Sequence, residues 1–186
     1  MRPVDKWQKR ARKEGYLARS AFKLLQLNKK YNLIKNNDKV LDIGCSPGSW
    51  VQVALKVHAS KVIGIDLNDV KINHPKFKFI KGDIFKLDLS SFEKFDVIIS
   101  DLAPQTTGIG ELDKDRSIDL TEKAFEICKR LLKQNGDFLA KVFQGEGFDE
   151  LLNQIKKEFK FCKATKPIAS KKRSKEIYIV AKGYLI

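Results

Sequence analysis

Cysteine and histidine are scarce in this 186-residue chain. Its three cysteines, Cys45, Cys128 and Cys162, are an odd set with no C-x-x-C pair, and only His58 and His74 could add imidazole ligands. Neither a disulfide framework nor a zinc site is indicated, and no metal is expected. No apolar run reaches the roughly 18 residues of a membrane span. The N-terminus, M-R-P-V-D-K-W, lacks the apolar core of a signal peptide. These absences predict a soluble, cytoplasmic protein. The length suits one domain with a sizeable core and is too short for two, so residues 1–186 are read as a single unit.

Acidic residues are the minority, 23 against 37 Lys and Arg, for a formal net charge of +14. The excess is segregated. Residues 1–35 carry 11 basic and 2 acidic residues, residues 156–175 carry 9 and 1, and the rest of the chain sums to −3. Two basic segments around a near-neutral centre suit a polyanion laid across one face, because phosphate neutralisation is what concentrated Lys and Arg do best. With Trp7, Tyr16 and Phe22 interleaved in the first segment, the expected partner is nucleic acid. Arg10, Arg12 and Lys13 at one end and Lys171, Lys172 and Arg173 at the other are the candidate contacts. Residues 1–35 are accordingly read as a basic RNA-contacting extension and helix.

The near-neutral centre opens with V-L-D-I-G-C-S-P-G-S-W, Val40 to Trp50. Lys39 to Ile43 is apolar and β-branched enough for a buried strand. Gly44 to Ser49 then punctuates a turn, and a helix follows with Ser49 as its cap. A strand, a glycine-bearing turn and a helix N-terminus make a crevice where backbone approaches a ligand closely. Apolar spacing predicts a helix over Leu17–Tyr31 before it. After it come strands over Lys61–Leu67, Phe77–Ile80, Phe95–Ser100 and Gly136–Phe143, with helices over Ser117–Leu132 and Gly147–Phe159. Phe159–Lys163 and Glu176–Tyr184 read as an antiparallel strand pair. The polar stretch Gln105–Arg116 reads as a mobile loop over the site. Strands alternating with helices predict an α/β sheet that binds its ligand at the carboxyl edge.

Asp42, Asp66, Asp83 and Asp101 all stand at or just beyond strand ends on that edge. Gly44 and Asp66 are 22 residues apart, close to the interval at which an acidic residue on the second strand meets a ribose hydroxyl. Asp42 and Asp83 have an equally simple reading as partners of their own turns. The turn reads G-C-S-P-G and lacks the third glycine of a dinucleotide fingerprint, and no G-K-[ST] is present for a phosphate-gripping loop. A ligand with ribose and adenine but no pyrophosphate fits better, and S-adenosylmethionine is one.

Five segments in order, R-S-A-F-K-L-L-Q-L, D-I-G-C-S-P-G-S-W, S-D-L-A-P, A-K-V-F-Q-G and S-K-E-I-Y-I-V, run from Arg19 to Val180. In these segments the chain resembles the FtsJ/RrmJ family of ribosomal RNA ribose 2′-O-methyltransferases. The resemblance implies a Rossmann-like seven-stranded methyltransferase sheet with helices on both faces and a reversed last strand. It implies a catalytic tetrad of Lys23, Asp101, Lys141 and Glu176, with Lys141 as proton acceptor. It also implies S-adenosylmethionine contacts from Gly48, Trp50, Asp66, Asp83 and Asp101. Ser49 departs from the pattern, standing where many members carry glycine.

The chemistry asks for such residues. A ribose hydroxyl is a poor nucleophile until its proton is lost, so the protein must supply a base, or a cation for the developing oxyanion, and alignment. The sequence leaves both roles open for Lys141. The implied substrate is a uridine of large-subunit ribosomal RNA, free or in the assembled subunit, with transfer RNA near the anticodon as the alternative and a monomeric protein expected. A nucleotide-dependent oxidoreductase would want the missing glycines. A silent RNA-binding module of the same fold could dispense with the tetrad, which is present.

Overall fold

The computed structural model describes residues 5–104, 110–171 and 173–185. The first half comprises α1 (Lys6–Lys13), α2 (Ala21–Tyr31), β1 (Lys39–Ile43), α3 (Ser49–Lys56), β2 (Lys61–Asp66) and β3 (Phe77–Lys81). The second comprises β4 (Phe95–Ser100), α4 (Gly110–Leu131), β5 (Leu132–Phe143), α5 (Phe148–Lys157), β6 (Phe159–Thr165) and β7 (Glu176–Tyr184). The strands form one seven-stranded sheet in the order β3-β2-β1-β4-β5-β7-β6.

β1 lies inside the sheet because every residue after Lys39 is buried, which only a strand covered on both faces can sustain. It pairs in parallel with β2 and β4. β7 runs antiparallel to both β5 and β6 and is the reversed strand. Its direction follows from the chain, because β6 ends at Thr165 and the short connection to Glu176 suffices only for a hairpin-like return.

Two apolar layers cover the sheet. Ile118, Phe125 and Leu131 of α4 and Leu151 and Ile155 of α5 pack on one face with Leu41, Ile43 and Phe138. On the other, Ala11 of α1, Leu24 and Leu27 of α2, and Trp50 and Val53 of α3 pack with Val40, Val62 and Tyr178. The alternation of Val40 and Leu41 between these layers is the strand period of two.

Several boundaries differ from the sequence reading. α1 was not anticipated, since its charges mask its periodicity. Asp5 caps it by accepting from the Trp7 N–H at 2.9 Å, and the Arg19 guanidinium forms an ion pair with the same Asp5. α2 begins four residues later than expected, leaving Leu17 exposed. Gly48, in the left-handed region at φ +112°, is the cap of α3. The Ser49 hydroxyl is 2.6 Å from that of Ser20, so it joins α3 to the start of α2 and does not cap its own helix. α4 starts at Gly110, so Gly110–Arg116 is helix and not loop, and the remainder of that expected loop, 105–109, lies outside the described residues. No helix among the described residues is long and apolar enough to cross a membrane.

Gly64 of β2 faces the α3 layer, where an added Cβ would lie 2.7 Å from Cys45 Sγ and 2.9 Å from Phe77 Cε2. Both neighbours are held by the sheet or the glycine turn. Gly64→Ala is expected to destabilise the protein by about 1–3 kcal/mol through overpacking, read as a lower urea midpoint with an unchanged slope.

Candidate active site

At the carboxyl edge of β1, β2 and β4 the chain leaves a cavity of about 640 Å³, lined by Gly44, Ser46, Asp66, Asp83 and Asp101 and walled by Leu67, Phe85, Leu102 and Leu120. That is the size of a small-molecule site. Asp66 ends β2, and both its oxygens are already engaged. Oδ2 accepts from the Ser46 N–H at 2.9 Å and Oδ1 from the Asn68 N–H at 2.8 Å. Each oxygen keeps a lone pair for a ligand donor. Asp83 Oδ1 accepts from the Phe85 N–H at 3.0 Å and so fixes its own turn, as the simpler reading allowed, while its side of the turn lines the cavity.

Four charged side chains meet where the cavity adjoins β5 and β7. The Lys23 ammonium of α2 lies 2.7 Å from Glu176 Oε1, with both side chains about nine-tenths buried. The Lys141 ammonium of β5 lies 3.2 Å from Asp101 Oδ1 and donates to the Asp101 carbonyl oxygen at 2.8 Å. Tyr178 connects the two pairs. It is the β7 partner of Lys141, its hydroxyl donates to Asp101 Oδ1 at 3.1 Å, and the Lys23 ammonium stands 5.7 Å from its ring centroid. The sequence of FtsJ-like methyltransferases matches this chain over residues 16–184, a span that includes the cavity and all four charges.

The chain belongs to the FtsJ-like methyltransferase family. It is 44% identical to the ribosomal RNA large subunit methyltransferase E of Methanocaldococcus jannaschii, over 98% of this chain and 80% of the relative. It is 42% identical to the protein of the same name from Methanothrix thermoacetophila, over 97% and 73%. Among solved structures it resembles one from Plasmodium falciparum assigned as a ribosomal RNA methyltransferase, with a TM-score of 0.81 and 33% identity, covering 91% of this chain and 99% of that one.

Electrostatics within the methyltransferase site follow from burial and pairing. Burial pushes the Glu176 carboxyl up, but hydrogen bonding and charge from Lys23, with Ser170 and Lys141 adding, outweigh it, and the group titrates below its ordinary value. Tyr178 is pushed well above the ordinary tyrosine value by burial, by the Asp101 and Glu176 charges and by its bond to Asp101, so it remains a hydrogen-bond donor. Asp42 behaves differently. It is fully buried, and neither of its oxygens has a hydrogen-bond partner among the described residues. Burial, then the charges of Asp101 and Asp66, raise its pKa well above 3.8. It is therefore not the turn-bonding aspartate that its position near the end of β1 suggested.

Trp50 and Gly48 sit differently from a side-chain cofactor contact. The Trp50 indole is buried, donates Nε1–H to the Ser20 carbonyl at 2.9 Å and packs against Tyr178 at 6.0 Å between centroids. Any ligand contact of this residue is left to its backbone at the start of α3. Gly48 has the same role as a turn, its absent Cβ leaving room for Ile72 Cδ1, which would be 2.5 Å away.

The basic segments also divide. Arg12, Lys13, Lys171 and Arg173 are exposed, and Lys172 lies outside the described residues. Arg10 is instead engaged by its own helix, with Nε 2.6 Å from Glu14 Oε1 and its guanidinium 4.7 Å from the Phe22 ring centroid. Tyr16 and Phe22 are buried and meet edge to face at 5.6 Å between centroids, so they cement α1 to α2 and do not face a nucleic acid.

Two hydroxyls on α4 were missed by sequence reasoning. Thr121 Oγ1 donates to the Lys141 carbonyl at 2.9 Å, and Ser117 Oγ accepts from the Phe143 N–H at 3.0 Å. Both are buried and hold β5 at Lys141 and at Phe143, two residues further on. Their only signal was a polar residue every fourth position on an otherwise apolar helix face.

Asp42 provides a pH test. Its pKa is near 3.9 in the unfolded chain and higher in the folded one, so between those values the folded state holds the extra proton and stability falls as pH rises. Asp42→Asn removes that dependence. The variant should gain stability relative to the parent between pH 4 and pH 7.5, measured by urea unfolding at both.

Proposed function

We propose that this methyltransferase moves a methyl group from S-adenosylmethionine to a ribose 2′-hydroxyl of large-subunit ribosomal RNA, with a uridine as the target. The observation that carries the reading is the pairing of two buried lysines with two carboxylates beside a nucleoside-sized cavity. The names of the relatives favour ribosomal over transfer RNA. Residues 1–35 serve the same reading as an RNA-contacting extension, with Arg12 and Lys13 among its exposed cations.

The residues present fit the cofactor. S-adenosylmethionine carries a sulfonium and an ammonium, and the cavity is lined by the carboxylates of Asp66, Asp83 and Asp101, while Asp42 is buried outside that lining. Carboxylates are the partners that a cationic ligand needs. Asp66 offers its remaining lone pairs to ribose hydroxyls, Asp83 flanks the far end, and Leu67 and Phe85 supply apolar walls for an aromatic base. When bound, the cofactor supplies a methyl carbon already activated toward a nucleophile.

The protein's share is to prepare the hydroxyl. Lys141 is the proton acceptor. Its Nζ is fixed by two contacts to Asp101, and Tyr178 orients that carboxylate from the other side. Lys23, held by Glu176, presents a second positive charge that stabilises the developing oxyanion. Exclusion of water around side chains this buried strengthens both effects.

Asp66→Ala should weaken S-adenosylmethionine binding by about 1.5–3 kcal/mol, the range for a hydrogen bond to a charged group, in calorimetric titration of folded protein. Unchanged affinity would place the cofactor elsewhere. Lys141→Ala should leave that affinity nearly intact and lower the single-turnover rate about 10²–10⁴-fold. Lys141→Arg should fail almost as badly, because guanidinium does not release its proton. An RNA with 2′-deoxyribose at the target should bind and not react. Methylation of that deoxy substrate would identify a base as the true acceptor.

A further inference from the structure

The connection between β6 and β7, K-P-I-A-S-K-K-R-S-K from Lys166 to Lys175, contains five basic residues and no acidic one. At its tip Ile168 is 80% exposed, the most exposed of the large apolar side chains described. A lone surface isoleucine is ordinary, but this one is presented by a rigid mount. Pro167, Ala169 and Ser170 on either side are buried, and the Ser170 N–H closes a turn on the Pro167 carbonyl at 3.0 Å. The Ala169 N–H donates to Gln26 Oε1 at 3.0 Å, and Gln26 is one helical turn after Lys23. Ser170 bears on the Glu176 carboxylate. The tip is thus fixed to the same two elements that supply the Lys23–Glu176 pair.

We propose that Ile168 is a wedge that takes the stacking position beside the reacting nucleotide of a single-stranded RNA segment, and so turns its ribose toward Lys141. The inference rests on the RNA reading above and adds a residue that sets the register of the strand. Lysines and arginines hold phosphates and give affinity without register. A 2′-hydroxyl can meet a fixed base only if its nucleotide is held out of the regular stack, and aliphatic side chains inserted between bases do this elsewhere. The all-basic surroundings select a polyanion over an apolar protein partner, which would leave these charges facing it unpaired.

The test uses the full chain and a short single-stranded oligoribonucleotide with one 2-aminopurine between adenines. Wild-type protein should raise the fluorescence at saturation, because an aliphatic neighbour replaces a stacked base without quenching. Ile168→Ala should bind about fivefold more weakly, in keeping with loss of a small apolar contact, and give little rise. Ile168→Trp should restore affinity and quench. Ile168→Lys should bind more tightly at low salt and with a steeper salt dependence, yet without the rise, and should lower the single-turnover methylation rate of large-subunit RNA. Unchanged thermal unfolding and S-adenosylmethionine affinity confirm the fold of each variant. An Ala variant that matches wild type in affinity and fluorescence overturns the wedge while leaving the RNA reading in place. Failure of wild type to bind the oligoribonucleotide overturns both.

Discussion

Two ammonium groups buried within one site repel each other and lose their hydration, so the edge where Lys23 and Lys141 meet is tolerable only because each has its own carboxylate. That requirement organises much of the molecule. Glu176 is the first residue of β7, and because β7 runs backwards through a sheet whose other strands are parallel, that first residue lies at the edge where the parallel strands end. Asp101 must follow β4 directly, opposite the strand that bears Lys141. α2 must cross the edge so that Lys23 faces inward, and the α1 cluster of Trp7, Tyr16 and Phe22, with the Asp5–Arg19 pair, anchors it there.

Tyr178 makes the two ion pairs into one unit. A phenol kept protonated by burial and by two nearby carboxylates shares Asp101 Oδ1 with Lys141. The carboxylate therefore serves two donors at once, and both fix its orientation. Asp42, buried within β1 close by, has its charge disfavoured by burial and by the Asp101 and Asp66 charges.

Much of this was legible in the sequence, and the reasons are specific. β1 and β4 are short apolar runs closed by small polar turns, so their ends could be read to within a residue, and the four tetrad positions fell into segments whose order matched a known pattern. α1 was not legible because five of its eight residues are Lys or Arg, which drowns the Trp7–Ala11 spacing. Trp50 was expected as a cofactor contact, and the partner that holds its ring in the core, Tyr178, lies on the last strand, out of reach of any local pattern. Aromatics among basic residues suggested stacking on bases, whereas Tyr16 and Phe22 are consumed in packing. The start of α4 was missed because its first two turns are almost wholly polar, and its Ser117 and Thr121 look like surface residues until the backbone of β5 is beside them.

Those two hydroxyls have a wider consequence. They tie β5, at the Lys141 carbonyl and at the Phe143 N–H, to a helix of 22 residues whose earlier turns reach the cavity through Arg116 and Asp119. Helix and strand then behave as one body around the lysine. The ordering entropy of that backbone is incurred once, when the chain folds, and not again at each turnover. The backbone that carries Lys141 is therefore set by the packing of helix on strand, and its position is inherited from the fold.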